Sequence, residues 1–161
     1  MQAPNAGLHA FKEVGNEKRA AGYAELKVGS LLRQESDGSG SWFWAINPYR
    51  GCEFACTFCR LRLDRDEFSG WRSFEKQIGV KTNAIEALNR DLALQGLDGR
   101  PVMLGTSTEP WQQAEEHFRL TRSILATLAE LEGVDLRVHT RSSLIARDTD
   151  LLKEIAAKGR V

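Results

Sequence analysis

The chain has 161 residues, 42% of them hydrophobic, and its 22 basic and 22 acidic side chains leave no formal net charge. A chain of that length and composition makes one ordinary globular domain, or part of one, because domains of roughly 100–200 residues bury a core of their own. Balanced charge excludes a bulk positive field that would draw the protein to phosphate backbones or an anionic membrane surface, so nucleic acid as a partner has no support from net charge.

Met1 to Lys12 lack the charged start, apolar core and cleavage site of a secretory leader, and no apolar run approaches the roughly 20 residues that span a bilayer. A soluble, cytoplasmic protein with no membrane contact is therefore expected. All three cysteines fall within eight positions. An odd number so closely clustered is a poor disulfide framework, and a reducing compartment would keep the thiols available as ligands.

Residues 1–41 are polar and broken by Gly and Ser, and read as an irregular arm with at most a short ordered piece. Trp42-Phe-Trp-Ala-Ile46, apolar and bounded by a Ser/Gly cluster and Asn47-Pro48, predicts a buried strand. Trp71 to Lys81 reads as a further extended segment. Asn83 with Glu86 three positions later resembles a capping box, starting a helix that buries Ile85, Leu88 and Leu92 and ends at Gly96. Pro101-Val-Met-Leu-Gly105 predicts a second strand, and a helix over about Ala114 to Glu132 carries Phe118, Ile124, Leu125, Leu128 and Leu131 on one side. Glu115, Arg119 and Arg122 share a surface of it that reads as solvated. Val134 to Val138 predicts a third strand. Asp148 is placed to cap a last helix that buries Leu151, Leu152 and Ile155 and stops at Gly159.

Strands alternating with helices predict an α/β class, because parallel neighbours need a crossover between them. About three parallel βα units are too few to close a barrel, since eight take roughly 250 residues. The pattern breaks off at Arg160-Val161, where a fourth strand is expected, so the chain reads as truncated. Residues 42–161 are expected to make up the βα domain that follows the arm.

The segment Cys52-Glu-Phe-Ala-Cys56-Thr-Phe-Cys59 sets three thiols at C-x3-C-x2-C spacing just beyond the first predicted strand. Iron–sulfur clusters are normally held by four thiolates, so a site with three leaves one iron open to a substrate. A structural zinc site is the competing reading and needs a fourth ligand, for which His9, His117 and His139 are all distant in sequence. Three buried small hydrophobes without metal is another, which leaves the tight spacing unexplained.

C-x3-C-x2-C with an aromatic residue before the last cysteine resembles the signature of the radical S-adenosylmethionine (SAM) superfamily. Asn47-Pro-Tyr-Arg-Gly-Cys52, Val80-Lys-Thr-Asn-Ala84, Gly105-Thr-Ser-Thr-Glu-Pro-Trp-Gln112 with Ala114-Glu115, and Arg147-Asp-Thr-Asp-Leu-Leu152 resemble, more narrowly, the spore photoproduct lyase-like branch. The resemblance implies the N-terminal part of a radical SAM (β/α) barrel. Cys52, Cys56 and Cys59 would hold a 4Fe-4S cluster, and SAM would be cleaved reductively to a 5′-deoxyadenosyl radical that abstracts hydrogen from an unknown substrate. It further implies Phe58 near the SAM adenine and Thr106, Ser107 and Thr108 at its methionine part. Glu109 would meet the ammonium, with a solvated loop carboxylate as the plain alternative. Arg141, where relatives often have lysine, and Ser142 would meet the SAM carboxylate. An electron donor such as flavodoxin or ferredoxin would supply the cluster. A lyase-like enzyme is the resulting expectation, with a non-catalytic cluster-binding remnant as its alternative. Arg60, Arg62, Arg65 and Arg72 form a basic stretch beside the cysteines that reads as a solvated loop before a phosphate-binding one.

Overall fold

The computed structural model describes residues 21–63 and 71–161. In chain order the strands are β1 (Gly22–Leu26), β2 (Arg33–Ser36), β3 (Trp42–Ile46), β4 (Tyr49–Arg50), β5 (Gln77–Lys81), β6 (Val102–Leu104) and β7 (Leu136–Val138). The helices are α1 (Arg60–Leu63), α2 (Trp71–Lys76), α3 (Ala84–Gln95), α4 (Ala114–Phe118), α5 (Leu120–Ala129) and α6 (Thr149–Lys158), with a 3-10 helix over Ser143–Asp148 leading into α6.

The class is mixed α/β, with parallel and antiparallel pairs in two sheets. One sheet runs β2-β3-β6-β7: β3, β6 and β7 are parallel, and β2 lies antiparallel on the outer edge of β3. Trp44, Ala45 and Ile46 are all buried, as an interior parallel strand covered on both faces requires. Helices α3, α5 and α6 cover this sheet through Leu88, Ile124, Leu125, Leu128 and Ile155, which pack with Trp44, Ile46, Val102, Leu104 and Leu136 in one apolar cluster. Beyond α6, Arg160 makes a single parallel bridge with Asp135, beside β7. The other sheet, β1-β5-β4, builds a smaller cluster from Tyr23, Tyr49, Ile78, Val80 and Ala114.

Several expectations are corrected. The arm read as irregular contains β1 and β2, each paired to a distant strand. The segment Trp71–Lys81 is extended only from Gln77, after the six-residue α2. Asn83 makes no capping bond; its side chain instead accepts from Val28 N at 2.9 Å and donates to Val28 O at 2.9 Å, pinning the chain beyond β1. Asp148 likewise leaves α6 uncapped, because its carboxylate is taken by other donors. The long helix over Ala114 to Glu132 breaks at Arg119, which is left-handed at φ 50°, and it ends at Ala129. The break lets Phe118 pack on the smaller cluster while α5 serves the larger one. Among the described residues no helix is long and apolar enough to cross a membrane.

Candidate functional site

The cysteine loop leaves β4 through Gly51, whose φ of 85° and surroundings exclude any side chain: a Cβ there would lie 2.8 Å from both the Phe74 and Gln77 carbonyl oxygens. That closeness lets Cys52 N donate to Phe74 O at 2.8 Å. Ala55, between the first two cysteines, is also left-handed at φ 49°, a conformation that non-glycine residues adopt at a cost. Glu53 anchors the turn, accepting from Tyr23 Oη at 2.8 Å and Ala114 N at 2.9 Å, while Glu53 N donates to the buried Gln112 Oε1 at 2.9 Å. β1 and the start of α4 thus hold the loop from behind.

In front of it lies a cavity of about 420 Å³. All three cysteines line it, together with residues 105–109 after β6 and 138–141 at the end of β7. Carboxyl ends of parallel strands are where α/β folds place their ligands. Of the residues singled out in the sequence, Cys52, Cys56, Cys59, Phe58, Thr106, Ser107, Thr108, Glu109 and Arg141 meet on this cavity. Ser142 does not; its hydroxyl accepts from Leu144 N at 3.2 Å to cap the 3-10 helix, and it lines a neighbouring cavity with Trp111 and Arg147. His139, distant from the cysteines in sequence, is exposed and lies on the cysteine cavity.

Phe58 is 72% exposed, with the Arg141 guanidinium 5.0 Å from its ring centroid. Glu109 is not a solvated carboxylate. It is buried and accepts from Thr140 Oγ1 at 2.5 Å, Arg141 N at 2.8 Å and Trp111 N at 3.1 Å, so its first task is to tie the segments after β6 and β7 together. A carboxylate has about four lone-pair sites, which leaves Glu109 about one more donor to accept.

Asn47, whose role the sequence reading did not foresee, shapes the loop after β6. Its Oδ1 accepts from Ser107 N at 2.9 Å and Thr108 N at 3.2 Å, and its Nδ2 donates to Thr106 Oγ1 at 2.8 Å. Behind these contacts lies a polar network. Tyr49 Oη donates to Glu115, which is fully buried and also accepts from Thr121 N at 3.0 Å and Arg122 N at 3.2 Å, while Arg147 pairs with it at 2.9 Å. Arg147, Arg122 and Trp111 Nε1 in turn converge on Asp148 at 2.7, 2.9 and 2.8 Å. Burial works to raise the Asp148 carboxyl, but these hydrogen bonds outweigh it and hold the group below the usual carboxylate range. Burial, then the charge and hydrogen bond of Glu115, push the Tyr49 hydroxyl well up. Glu115 and Arg122 are therefore structural partners and not a solvated face.

The three thiols are uncombined. Cys52 is buried, and burial pushes its thiol up to about 11. Arg141 Nη1 lies 3.1 Å from Cys56 Sγ. Among the described residues no three His, Cys, Asp or Glu side chains are drawn together as a set that would hold a metal ion. The donor chemistry nevertheless fits an iron–sulfur cluster, since three soft ligands line one cavity, with the Arg141 guanidinium against one of them. In the metal-free protein, iodoacetamide is expected to label the partly exposed Cys56 and Cys59 before Cys52, whose thiol is buried and held up by that burial. Peptide mass mapping over time checks the order, and equal rates would show Cys52 to be open.

Arg60 is exposed beside the loop. Arg65, and the side chains of Arg62 and Arg72, lie outside the described residues.

The chain is similar to an uncharacterized protein of Mycobacterium tuberculosis, 35% identical over 115 residues that cover 70% of this chain and 34% of the relative. An uncharacterized protein of Methanocaldococcus jannaschii is 27% identical over 116 residues, 71% of this chain and 41% of that one. An uncharacterized protein of Acidianus two-tailed virus is 27% identical over 135 residues, 80% and 42% of the two chains. The chain thus spans between about a third and two-fifths of the length of these relatives. No family model and no solved structure matches it.

Proposed function

We propose that the chain is the N-terminal part of a radical SAM catalytic domain of the spore photoproduct lyase-like kind, with Cys52, Cys56 and Cys59 as the ligands of a 4Fe-4S cluster. The observation that carries this reading is the shared cavity. Three uncombined thiols on one loop open on the same space as the carboxyl ends of β6 and β7, together with Thr106, Ser107, Thr108 and Arg141. The order β3-β6-β7, parallel and without reversal, suits the opening units of a (β/α) barrel.

When bound, the cluster and SAM supply a radical that removes hydrogen from a substrate whose identity is left open. The cluster would draw its electron from a donor such as flavodoxin or ferredoxin. The chain's own residues bind, orient and exclude water. Asn47 fixes the backbone of Ser107 and Thr108 and so sets the loop after β6 along the cavity in which the methionine part of SAM would lie. Arg141, planar and permanently charged, suits the SAM carboxylate once it has left Cys56. Phe58 offers an exposed aromatic face to the adenine. Glu109 holds the segments after β6 and β7 together and retains acceptor capacity for the SAM ammonium.

One observation favours a second reading: His139 lies on the cysteine cavity and would complete a Cys3His zinc site. Anaerobic reconstitution with iron and sulfide separates the two. The expected result is about four irons per chain and an electron paramagnetic resonance signal that changes on adding SAM and disappears in Cys56→Ala. Bound zinc with no cluster would overturn the proposal. A cluster indifferent to SAM would overturn its catalytic half and leave a cluster-binding protein.

A further inference from the structure

The cysteine loop is built from two successive turns, over residues 53–54 and 57–58. Cys52 opens the first from an interior position: its N–H is tied to Phe74 O at 2.8 Å, and the residue is buried. Cys56 opens the second and Cys59 closes it, with Cys59 N donating to Cys56 O at 3.1 Å before α1 begins at Arg60. These two cysteines are partly exposed and uncombined, and both line the cavity in front of the loop.

A turn closed by such a hydrogen bond holds its first and fourth Cα atoms within about 7 Å, and a disulfide joins Cα atoms about 4.4–6.8 Å apart. The local backbone alone therefore keeps Cys56 and Cys59 within reach of a bond to each other. Cys52 is placed differently. It is buried, and three residues, with Ala55 left-handed at φ 49°, separate it from Cys56. An oxidant in solution reaches first the thiols that solvent reaches.

We propose that Cys56 and Cys59 are a dithiol that closes by exchange with a small disulfide such as oxidised glutathione and reopens on reduction, so that the redox state of this turn decides whether the loop takes a metal. In the exchange the sulfur of one cysteine, its proton given up to solvent, attacks a sulfur of the oxidant. The oxidant's S–S bond breaks and one glutathione leaves as a thiol. The second cysteine, likewise deprotonated, then attacks the mixed disulfide and expels the second glutathione thiol. The protein has lost two electrons and two protons, and the oxidant has gained them. A ring closed over only four residues restricts little of the unfolded chain, so it adds little stability and stays open to reduction. Closure uses two of the three sulfurs and leaves Cys52 alone, too few thiolates for an iron–sulfur cluster or a zinc ion. The inference goes beyond the cluster reading and does not rest on it.

The test takes the metal-free chain, reduced and then incubated with oxidised glutathione without oxygen, and quenches it in acid. The intact mass is expected to fall by about 2 Da, the two hydrogens lost, and to be restored by dithiothreitol. Alkylating the remaining thiol in denaturant, then reducing and alkylating the released pair with a second reagent, should put the first label on Cys52 and the second on Cys56 and Cys59. Cys59→Ala should instead keep one glutathione on Cys56, and Cys52→Ala, folded by circular dichroism, should still close the bond. Oxidation in urea, which ends the burial of Cys52, should bring that residue into the pairings. A wild type that stops at glutathione adducts, a disulfide that includes Cys52 in the folded chain, or the same pairings with and without urea would each overturn the proposal. None of these outcomes bears on whether the reduced loop holds a cluster.

Discussion

Glu115→Ala is expected to cost about 3–5 kcal/mol of folding stability, because three buried donors lose their acceptor at about 1–3 kcal/mol each. The carboxylate is fully buried and accepts from the Tyr49 hydroxyl, two backbone N–H groups at the start of α5, and Arg147. Alanine strands the Tyr49 hydroxyl and the two backbone N–H groups, while Arg147 keeps Asp148 at 2.7 Å. The left-handed break at Arg119 also depends on this group, because the N–H groups of Thr121 and Arg122, at the first turn of α5, have it as their acceptor. Tyr49 belongs to the smaller apolar cluster and α5 to the larger. The variant should therefore loosen the two sheets from one another as well as lower the midpoint. Glu115→Gln keeps the shape and loses the charge, and should fall between the two. Urea denaturation followed by circular dichroism checks both, and a loss below about 1 kcal/mol in the alanine variant would show the network to be dispensable.

Gly105→Ala is the second large effect, at about 3 kcal/mol or more, combining a left-handed backbone with a steric clash. Gly105 has φ 92°, and a Cβ there would lie 2.5 Å from the His139 carbonyl oxygen and 2.7 Å from Pro110 Cγ. The His139 N–H donates to Leu104 O at 2.9 Å, so pushing residue 139 away also disturbs the end of the β6–β7 pairing. Gly133→Ala is the control: its φ of 70° is also positive, but a Cβ would meet nothing within 4 Å. That change should cost only about 1 kcal/mol. Equal midpoints for the two variants in thermal melting would sink the steric argument.

The parts of the fold legible in the sequence are those whose apolar pattern is set by burial alone. β3, β6, β7, α3 and α6 each carry a run or stripe facing the main cluster, and each stands within a few residues of its expected place. The second sheet was hidden because its strands draw on distant pairing: β1 faces β5 across some 55 residues, and β4 has only Tyr49 and Arg50. Helix α4–α5 reads as continuous because a single left-handed residue leaves little trace in a periodicity. The cysteine loop was legible from spacing. Asn47, Glu53 and Glu115 were not, because a polar residue that binds buried donors looks, in a linear string, like one that meets water. The motif segments that carry the family resemblance turn out to contain many of these residues, and they bind one another across the fold.

β2 has a further consequence. It shields the outer side of β3 with Arg33-Gln-Glu-Ser36, four residues with no apolar member and mostly exposed. A short polar rim of that kind is a poor template for another chain, since a neighbouring strand would gain backbone bonds but no apolar contact and would meet charges. Self-association through this border is discouraged by its composition. The opposite border, where Arg160 already begins to pair beside β7, is the direction in which the sheet can be extended.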